Sequence, residues 1–494
     1  MRGREAKDCG ALVLRQSQRA VHPKFTRRRR RPKSAQIQGD TWWRRVDAPG
    51  RAETLLRHAL TACSACSDSK ETKDASETGA LRRLRTREDA KRREAYSVTT
   101  VSRVREVILR QRATAERLVR GHPWVWREAI EQGLAGAEAG EEVQVVIGGT
   151  AVGRGFADPT SPIAVRLWTR GREPIDERVW QARAGRACAL RSMLFEHAAT
   201  RTDAFRVLHG EGDRMPGLVV DRYGPVAIVR ADGDAARAHV SDLAQAVWPT
   251  LSSWGVSTLA HRIGAKGEAP TIEVLRGQPL PQTVRVEEHG VPFVVDIVRG
   301  QKTGAFLDQR DNRRRVGELG RGRRVLNLYS YAGGFSLHAA LGGAARVTSV
   351  DVAAAAHATA QASFRAAGVD PAKHAFVTAD VHAFLDGARA RQETWDLIVS
   401  DPPSFAPSEK AVARALSAYR ALHRACAAVL APEGIFCAAS CSSHIDAPSF
   451  LGTLDDAALD GRALSLLELR GAGPDHPTLA GFPEGRYLKF AVLA

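Results

Sequence analysis

From about residue 98 onward, short apolar runs alternate with polar or amphipathic segments, and the period of that alternation changes along the chain. Four segments, VREVILR (104–110), EVQVVIGG (142–149), AVGRGFAD (151–158) and IAVRLWTRG (163–171), alternate with a period of two between Gly and Pro punctuation. They predict a small β-barrel of about 75 residues. Residues 174–200 read as a helix joining two domains. Strand patterns then flank G-E-G-D (210–213) and a polar turn at Asp221–Pro225, followed by a helix over 235–253 and a strand over 271–276. This is an α+β segment. VRVEEHGVPFVVDI (284–297) predicts a hairpin turning at His289–Gly290.

The remainder follows one rule. Arg324–Asp351 reads strand, glycine turn, helix, strand, with an acid at the tip of the second strand. That is half of a nucleotide-binding α/β unit. Regular alternation continues with helices over 353–367 (stopped by Gly368), 381–391, 411–430 and 447–459. The intervening strands end at Asp380, Asp401 and Cys441. The last two strands, 463–470 and 486–493, have no helix between them and are expected to be antiparallel. The fold class is α/β, a Rossmann-like domain with a mostly parallel sheet. Four domains are delimited: a basic extension over 1–100, the β-barrel over 101–178, the α+β middle domain over 179–285, and the α/β domain over 286–494.

Composition adjusts this picture in two places. The net charge of +17 suggests a polyanionic partner. However, residues 1–104 hold 26 Lys and Arg against 12 Asp and Glu, so about +14 sits in the extension. That extension includes Arg27–Arg31 and a polar stretch over 61–78, and it reads as disordered or loosely helical. Two origins stay open for it: a non-specific RNA-binding arm, or translation from upstream of the true start. No apolar run reaches the ~18 residues of a membrane span, and no signal-peptide core is evident, so a cytoplasmic protein is expected. The seven cysteines (Cys9, Cys63, Cys66, Cys188, Cys426, Cys437 and Cys441) are odd in number and lack the spacing of a disulfide framework. Cys63 and Cys66 form a lone C-x-x-C, and no metal site is expected.

Candidate chemistry gathers at the strand tips, the edge where open α/β sheets bind ligands. Asp351 can accept both hydroxyls of a ribose. The first turn lacks G-x-G-x-x-G, which favours a nucleoside cofactor without a pyrophosphate over NAD. In Asp401-Pro402-Pro403-Ser404-Phe405, two prolines fix a rigid loop beside a carboxylate, with Phe405 free to stack on a planar base. Cys441 lies in Ser440-Cys441-Ser442. Carbon 5 of a pyrimidine becomes nucleophilic only after a thiolate adds to carbon 6, and a cysteine at a ligand-facing tip suits that task. Cys437, inside the apolar strand, and Cys426, inside a helix, read as core.

These motifs carry a family resemblance. N-L-Y-S-Y-A-G-G-F, the Asp351 strand, D-P-P-S-F and S-C-S, preceded by G-Q-K-T-G-A-F-L-D-Q-R-D-N-R (300–313), resemble the PUA-domain-containing class I 23S rRNA cytosine carbon-5 methyltransferases. G-H-P-W-V-W with GRGFADPTSPIAVRLW resembles a PUA domain, an RNA-binding module, and 210–224, D-H-P (475–477) and R-Y-L-K (486–489) also resemble the family. The likeness covers about 105–494. It implies S-adenosylmethionine (SAM) as cofactor. Asn327, Tyr331, Gly333 and Phe335 would line its methionine side, Asp351 the ribose and Asp380 the adenine. Phe306, Asp308 and Arg310 would close over it. Cys441 would be the nucleophile, Asp401 would orient a flipped cytosine, and Pro402, Pro403 and Phe405 would meet the substrate. Asp475 and His476 are further candidates for substrate contact, with loop capping as the alternative. RNA is the implied partner, 23S rRNA in particular. The oligomeric state is open, a homodimer among the options. Methylation of a purine nitrogen and a non-catalytic RNA-binding assembly factor are the competing readings.

Overall fold

The computed structural model describes residues 104–110, 112–196, 201–264 and 270–494. The extension over 1–100, with Cys9, Cys63 and Cys66, lies outside them. No described helix is long and apolar enough to cross a membrane.

The first region is a six-stranded mixed sheet. It comprises β1 (Arg105–Leu109), helix α1 (Arg112–Val119), β2 (Trp124–Trp126), β3 (Ile130–Gln132), β4 (Glu142–Ile147), β5 (Thr150–Ala157) and β6 (Ile163–Leu167), in the order β2-β6-β5-β4-β1-β3. Period-two alternation sends Val107, Leu109, Val143 and Val145 into one core with Leu118, Val125 and Val165. Gly153 and Gly155 are required where they stand: a Cβ on either would lie 2.3 Å from a backbone oxygen, of Thr169 and Arg166 respectively.

Helix α2 (Glu177–Phe195) starts at Asp176, whose side chain caps it by accepting from the Val179 amide. The middle region is a five-stranded sheet, β11-β10-β9-β8-β7. Its strands are β7 (Ala204–His209), β8 (Leu218–Tyr223), β9 (Val226–Ala231), β10 (Thr258–Ile263) and β11 (Thr271–Gly277), with helices α3 (Asp234–Ala238) and α4 (Val240–Ser253) between β9 and β10. Two expectations need correction. The polar turn at Asp221–Pro225 is shorter, because β8 continues to Tyr223 and Asp221 is a fully buried strand residue. β10 was not anticipated, since His261 and Arg262 interrupt its apolar pattern. The hairpin β12 (Thr283–Glu288) and β13 (Val291–Asp296) turns at His289–Gly290, both with positive φ. Its Val284, Val286 and Val295 pack with Tyr223, Ile228 and Ala260. The boundary drawn at 285/286 therefore falls inside a strand that packs on the middle sheet.

The last region contains helix α5 (Arg310–Leu319), β14 (Arg324–Leu328), α6 (Gly334–Leu341), β15 (Arg346–Asp351), α7 (Ala354–Ala366), β16 (Ala375–Thr378), α8 (Val381–Ala390), β17 (Trp395–Ser400), α9 (Val412–Ala428), β18 (Leu430–Ser440), α10 (Ala447–Leu451), β19 (Leu466–Arg470) and β20 (Lys489–Leu493). The seven strands run β16-β15-β14-β17-β18-β20-β19. β20 inserts antiparallel between β18 and β19; the other pairings are parallel. The order reverses between β14 and β17, and a crevice opens at such a switch point beyond the carboxyl ends of the strands. Gly368, at φ +73°, ends α7 as expected, with the Val369 amide reaching back to the Phe364 carbonyl at 2.9 Å. Helix α10 is shorter than the expected 447–459, ending at Leu451 with Gly452 as its C-cap.

Candidate active site

The turn after β14 is unusual backbone. Tyr329, Tyr331 and Gly333 have φ of +56°, +46° and +73°. The Tyr331 amide donates to Asp351 Oδ2 at 2.8 Å, and the Ala353 amide to Oδ1 at 2.9 Å. Each carboxylate oxygen keeps a second lone pair, so Asp351 can still accept two hydroxyls. Asp380 caps α8 through Oδ1, which accepts from the Ala383 amide at 3.0 Å, and the residue is exposed. At Gly333 a Cβ would stand 2.7 Å from the Ala360 Cβ. The glycine thus serves close helix packing as well as the left-handed turn.

Tyr331 also fixes the 300–306 turn. Its hydroxyl accepts from the Gln301 amide at 2.8 Å, and its ring meets Phe306 edge-on at 5.4 Å. The middle sheet holds the same turn. The Thr303 hydroxyl donates to Asp221 Oδ2 at 2.6 Å and lies 2.9 Å from the Tyr223 hydroxyl. Lys302, with φ +53°, places its ammonium 3.1 Å from Asp308 Oδ2 and 4.4 Å from the centre of the Phe306 ring. Tyr487 donates to the same Asp308 oxygen at 2.7 Å. Asp308 is 3% exposed, and its Oδ1 is buried without a partner.

Two loops meet beyond β17 and β18. The Ser404 and Ser442 hydroxyls lie 3.2 Å apart, and the Ala406 amide donates to Ser442 Oγ at 3.4 Å. Tyr419 joins them, its hydroxyl 3.0 Å from Ser440 Oγ and 3.2 Å from Ser442 Oγ. The Lys489 ammonium donates to the carbonyls of Ser442, Ile445 and Tyr487, each at 2.7 Å. D-P-P-S-F and S-C-S are thereby stitched side by side. Pro402 is buried, Pro403 exposed, and the half-buried Phe405 ring sits 4.8 Å from Tyr419.

Electrostatics tie the same groups together. Asp401 accepts from Gln309 Nε2 at 3.1 Å. Burial, then the nearby Asp308 charge, pushes its carboxyl up to about 7, against Lys302 and the Gln309 bond. For Asp308, burial is outweighed by Lys302, His476 and the Tyr487 bond, so its carboxyl stays well below the usual range. Two carboxylates are thus driven apart, one towards carrying a proton and one towards permanent charge. Cys441 is partly exposed. Burial, then the Asp401 charge, raises its thiol to about 11, and Lys302 opposes the rise. Cys437 is fully buried and pushed up to about 12 by burial, as is Cys426, in keeping with core roles.

Three residues expected to contact the cofactor have buried side chains bonded or packed within the protein, although Asn327 Oδ1 is left without a partner. Asn327 is 1% exposed, and its amide donates to Ser336 Oγ at 2.8 Å beneath the turn. The Phe335 ring is buried and stacks on Phe490 at 5.8 Å. Arg310 is 1% exposed and forks onto Asp475 at 2.8 and 3.0 Å, over the Phe195 ring. Asp475 is itself fully buried and accepts from the Arg206 amide at 2.9 Å, so it braces the middle region against the α/β region. The sequence reading missed Lys302, Gln309, Tyr419 and Tyr487. Lys302 and Gln309 lie inside the quoted 300–313 motif, but no spacing rule singles them out. Among the described residues no group of three or more His, Cys, Asp or Glu could hold a metal ion.

The cofactor these residues fit is a nucleoside with an amino-acid tail: lone pairs remain on Asp351, and an unpartnered buried oxygen remains on Asp308. Comparison with known proteins agrees. The S-adenosylmethionine-dependent methyltransferase family matches residues 232–487, and a PUA-like domain matches 107–170. A Ribosomal RNA large subunit methyltransferase I from Tolumonas auensis is 36% identical over 78% of this chain and 98% of its own length. A Ribosomal RNA large subunit methyltransferase from Deinococcus radiodurans is 37% identical over 78% and 96%. The crystal structure of SMU.776 complexed with SAH shares the fold with TM-score 0.69 at 24% identity, over 78% of this chain and 98% of that one. The cofactor is S-adenosylmethionine, and the chain belongs to the family of PUA-domain-containing, SAM-dependent ribosomal RNA large subunit methyltransferases.

Proposed function

We propose that this chain methylates carbon 5 of a cytosine in 23S rRNA through a covalent Cys441 adduct. The observation that carries the reading is the placing of Cys441 and Asp401 on two loops joined through Ser404, Ser442 and Tyr419, where the Asp401 charge raises the Cys441 thiol and both groups feel Lys302 and Asp308.

SAM, when bound, supplies an electrophilic methyl group on a sulfonium. Asp351 takes the ribose hydroxyls, Asp380 the adenine edge, and Phe306, Tyr331 and the Gly333 backbone flank the methionine end. The unpartnered oxygen of Asp308 suits an ammonium. A cytosine inside a helix hides carbon 6, so the target is unpaired or flipped out. It then lies against the Pro402–Pro403 loop and Phe405.

With its thiol near 11, Cys441 is protonated at rest at neutral pH. Its proton passes to the Asp401 carboxylate, and Asp401 delivers it to ring nitrogen 3. A group titrating near 7 is matched to both halves of that relay. The sulfur lone pair forms the bond to carbon 6, and the former carbon 5–carbon 6 π pair moves toward nitrogen 3. Carbon 5 thereby becomes an enamine-type nucleophile. Once it carries the methyl group, solvent water takes the carbon-5 proton, the freed pair restores the carbon 5–carbon 6 double bond and Cys441 leaves as thiolate; the proton on nitrogen 3 returns through Asp401 to that sulfur, which regenerates the thiol and the carboxylate.

Mass mapping of methylated nucleosides in 23S rRNA treated with purified protein and labelled SAM tests this reading. The expected product is 5-methylcytidine, absent with Cys441→Ser. A product on a purine nitrogen, or a near-normal rate with Cys441→Ser, would refute it.

A further inference from the structure

A cavity of about 710 Å³ is lined by the residues that follow Cys441. Its wall includes Ser443, His444 and Asp446, which continue directly from Cys441, and Gly471, Glu484 and Arg486 from the segment between β19 and β20. None of Asp351, Asp380, Asp401 or Phe306 lines it. Its volume is within the roughly 300–1,000 Å³ of sites that enclose a small organic ligand.

The cavity is bounded by the segment on which the PUA-like region docks. Glu484 accepts from Arg117 at 3.2 Å and lies 3.3 Å from His122 Nε2. The Phe482 ring, two residues earlier, meets Trp124 at 4.7 Å and His122 at 5.4 Å. At Gly481 a Cβ would lie 2.5 Å from the Arg120 carbonyl oxygen, so this contact is close. One loop therefore carries the PUA-like contact on one side and the cavity on the other.

The charge lining it is unevenly committed. Arg470 is held by Glu468 and Asn312, Lys489 by three carbonyls, and Glu484 by Arg117. Asp446 caps α10. Arg486 and His444 are exposed and carry no ion pair among the described residues. A guanidinium without a partner beside exposed backbone suits a phosphate, and an exposed imidazole offers a flat face to a base.

We infer that this cavity binds the unpaired ribonucleotide next to the target base, with Arg486 on its phosphate, on the path from the PUA-like region to Cys441. The inference rests on the RNA-methylating reading above. A nucleotide held here anchors the strand while its neighbour turns toward Asp401, so base flipping is coupled to a second contact.

The test uses the full chain and fluorescein-labelled oligocytidine RNA, with anisotropy measured at several salt concentrations. Arg486→Ala is expected to weaken binding about five- to tenfold and to lower the salt slope by about 0.7, the loss of one phosphate contact on a single strand. His444→Ala is expected to weaken binding about threefold at unchanged slope. SAM affinity by calorimetry should stay within twofold in both variants, which excludes misfolding. Unchanged RNA affinity and slope in Arg486→Ala would overturn the inference. Failure of the carbon-5 reading appears separately, as a different methylated nucleoside with the Arg486 effect intact.

Discussion

Gln309 donates from its amide nitrogen to the Asp401 carboxylate at 3.1 Å, tying the turn before α5 to the tip of β17. The bond crosses from the 300–313 motif to the D-P-P loop. It favours the ionised form of a carboxyl that burial and Asp308 push the other way. The balance leaves Asp401 near 7, where a proton can be both taken and given.

That balance predicts a pH signature in stability. The carboxyl is raised from 3.8 to about 7 on folding, so the native state binds the extra proton. Its contribution is present below about pH 4 and is lost as pH rises through 7. The full shift would be about 4 kcal/mol, and partial exposure lowers this to roughly 1–2 kcal/mol. Urea unfolding should show Asp401→Asn gaining that much on the unsubstituted chain between pH 5 and pH 8. A constant difference across that window would contradict it.

Lys302 opposes the rise of the Cys441 thiol, so Lys302→Met should raise the thiol further and Lys302→Arg should largely restore it. Alkylation of Cys441 by iodoacetamide at pH 8 reports the thiolate fraction. About a three- to tenfold slowing in Lys302→Met, with recovery in Lys302→Arg, is expected. Equal rates in all three would place the ammonium outside the thiol's surroundings.

Arg310 was expected over the cofactor and instead forks onto the buried Asp475. Arg310→Met strands that carboxylate, and losing one partner of a buried pair costs about 3–5 kcal/mol. Thermal melts should fall clearly, while SAM affinity at a permissive temperature changes less than threefold. A large loss of SAM affinity at unchanged stability would return Arg310 to the cofactor site.

Cys437→Ala separates the two cysteines of β18 and its tip. Cys437 is buried in the sheet, so its truncation is expected to lower stability by about 1–2 kcal/mol and leave the rate of methylation within threefold. Abolished product with Cys437→Ala and full activity with Cys441→Ala would reverse the assignment.

The strand tips were legible because period, glycine turns and terminal acids are local signals. Asp351, Asp380, Asp401 and Cys441 could be placed at strand ends from the α/β rhythm alone. Long-range partners could not. Nothing local to Arg310 reveals that Asp475, 165 residues later, claims its guanidinium. Asn327 and Phe335 sit in the cofactor-facing motif, yet their side chains point to Ser336 and Phe490 because β14 and α6 must also pack. The polar His261 and Arg262 hid β10, and the insertion of β20 between β18 and β19 is a property of the whole sheet.

The most direct measurement is covalent capture. RNA carrying 5-fluorocytidine cannot lose fluorine as it would a proton, so an adduct formed at carbon 6 persists after methyl transfer. Incubated with SAM, the unsubstituted chain should yield a denaturation-stable RNA–protein species whose peptide mass places the linkage on Cys441, and Cys441→Ala should yield none. No adduct, or one mapped to another residue while the product still forms, would contradict the account.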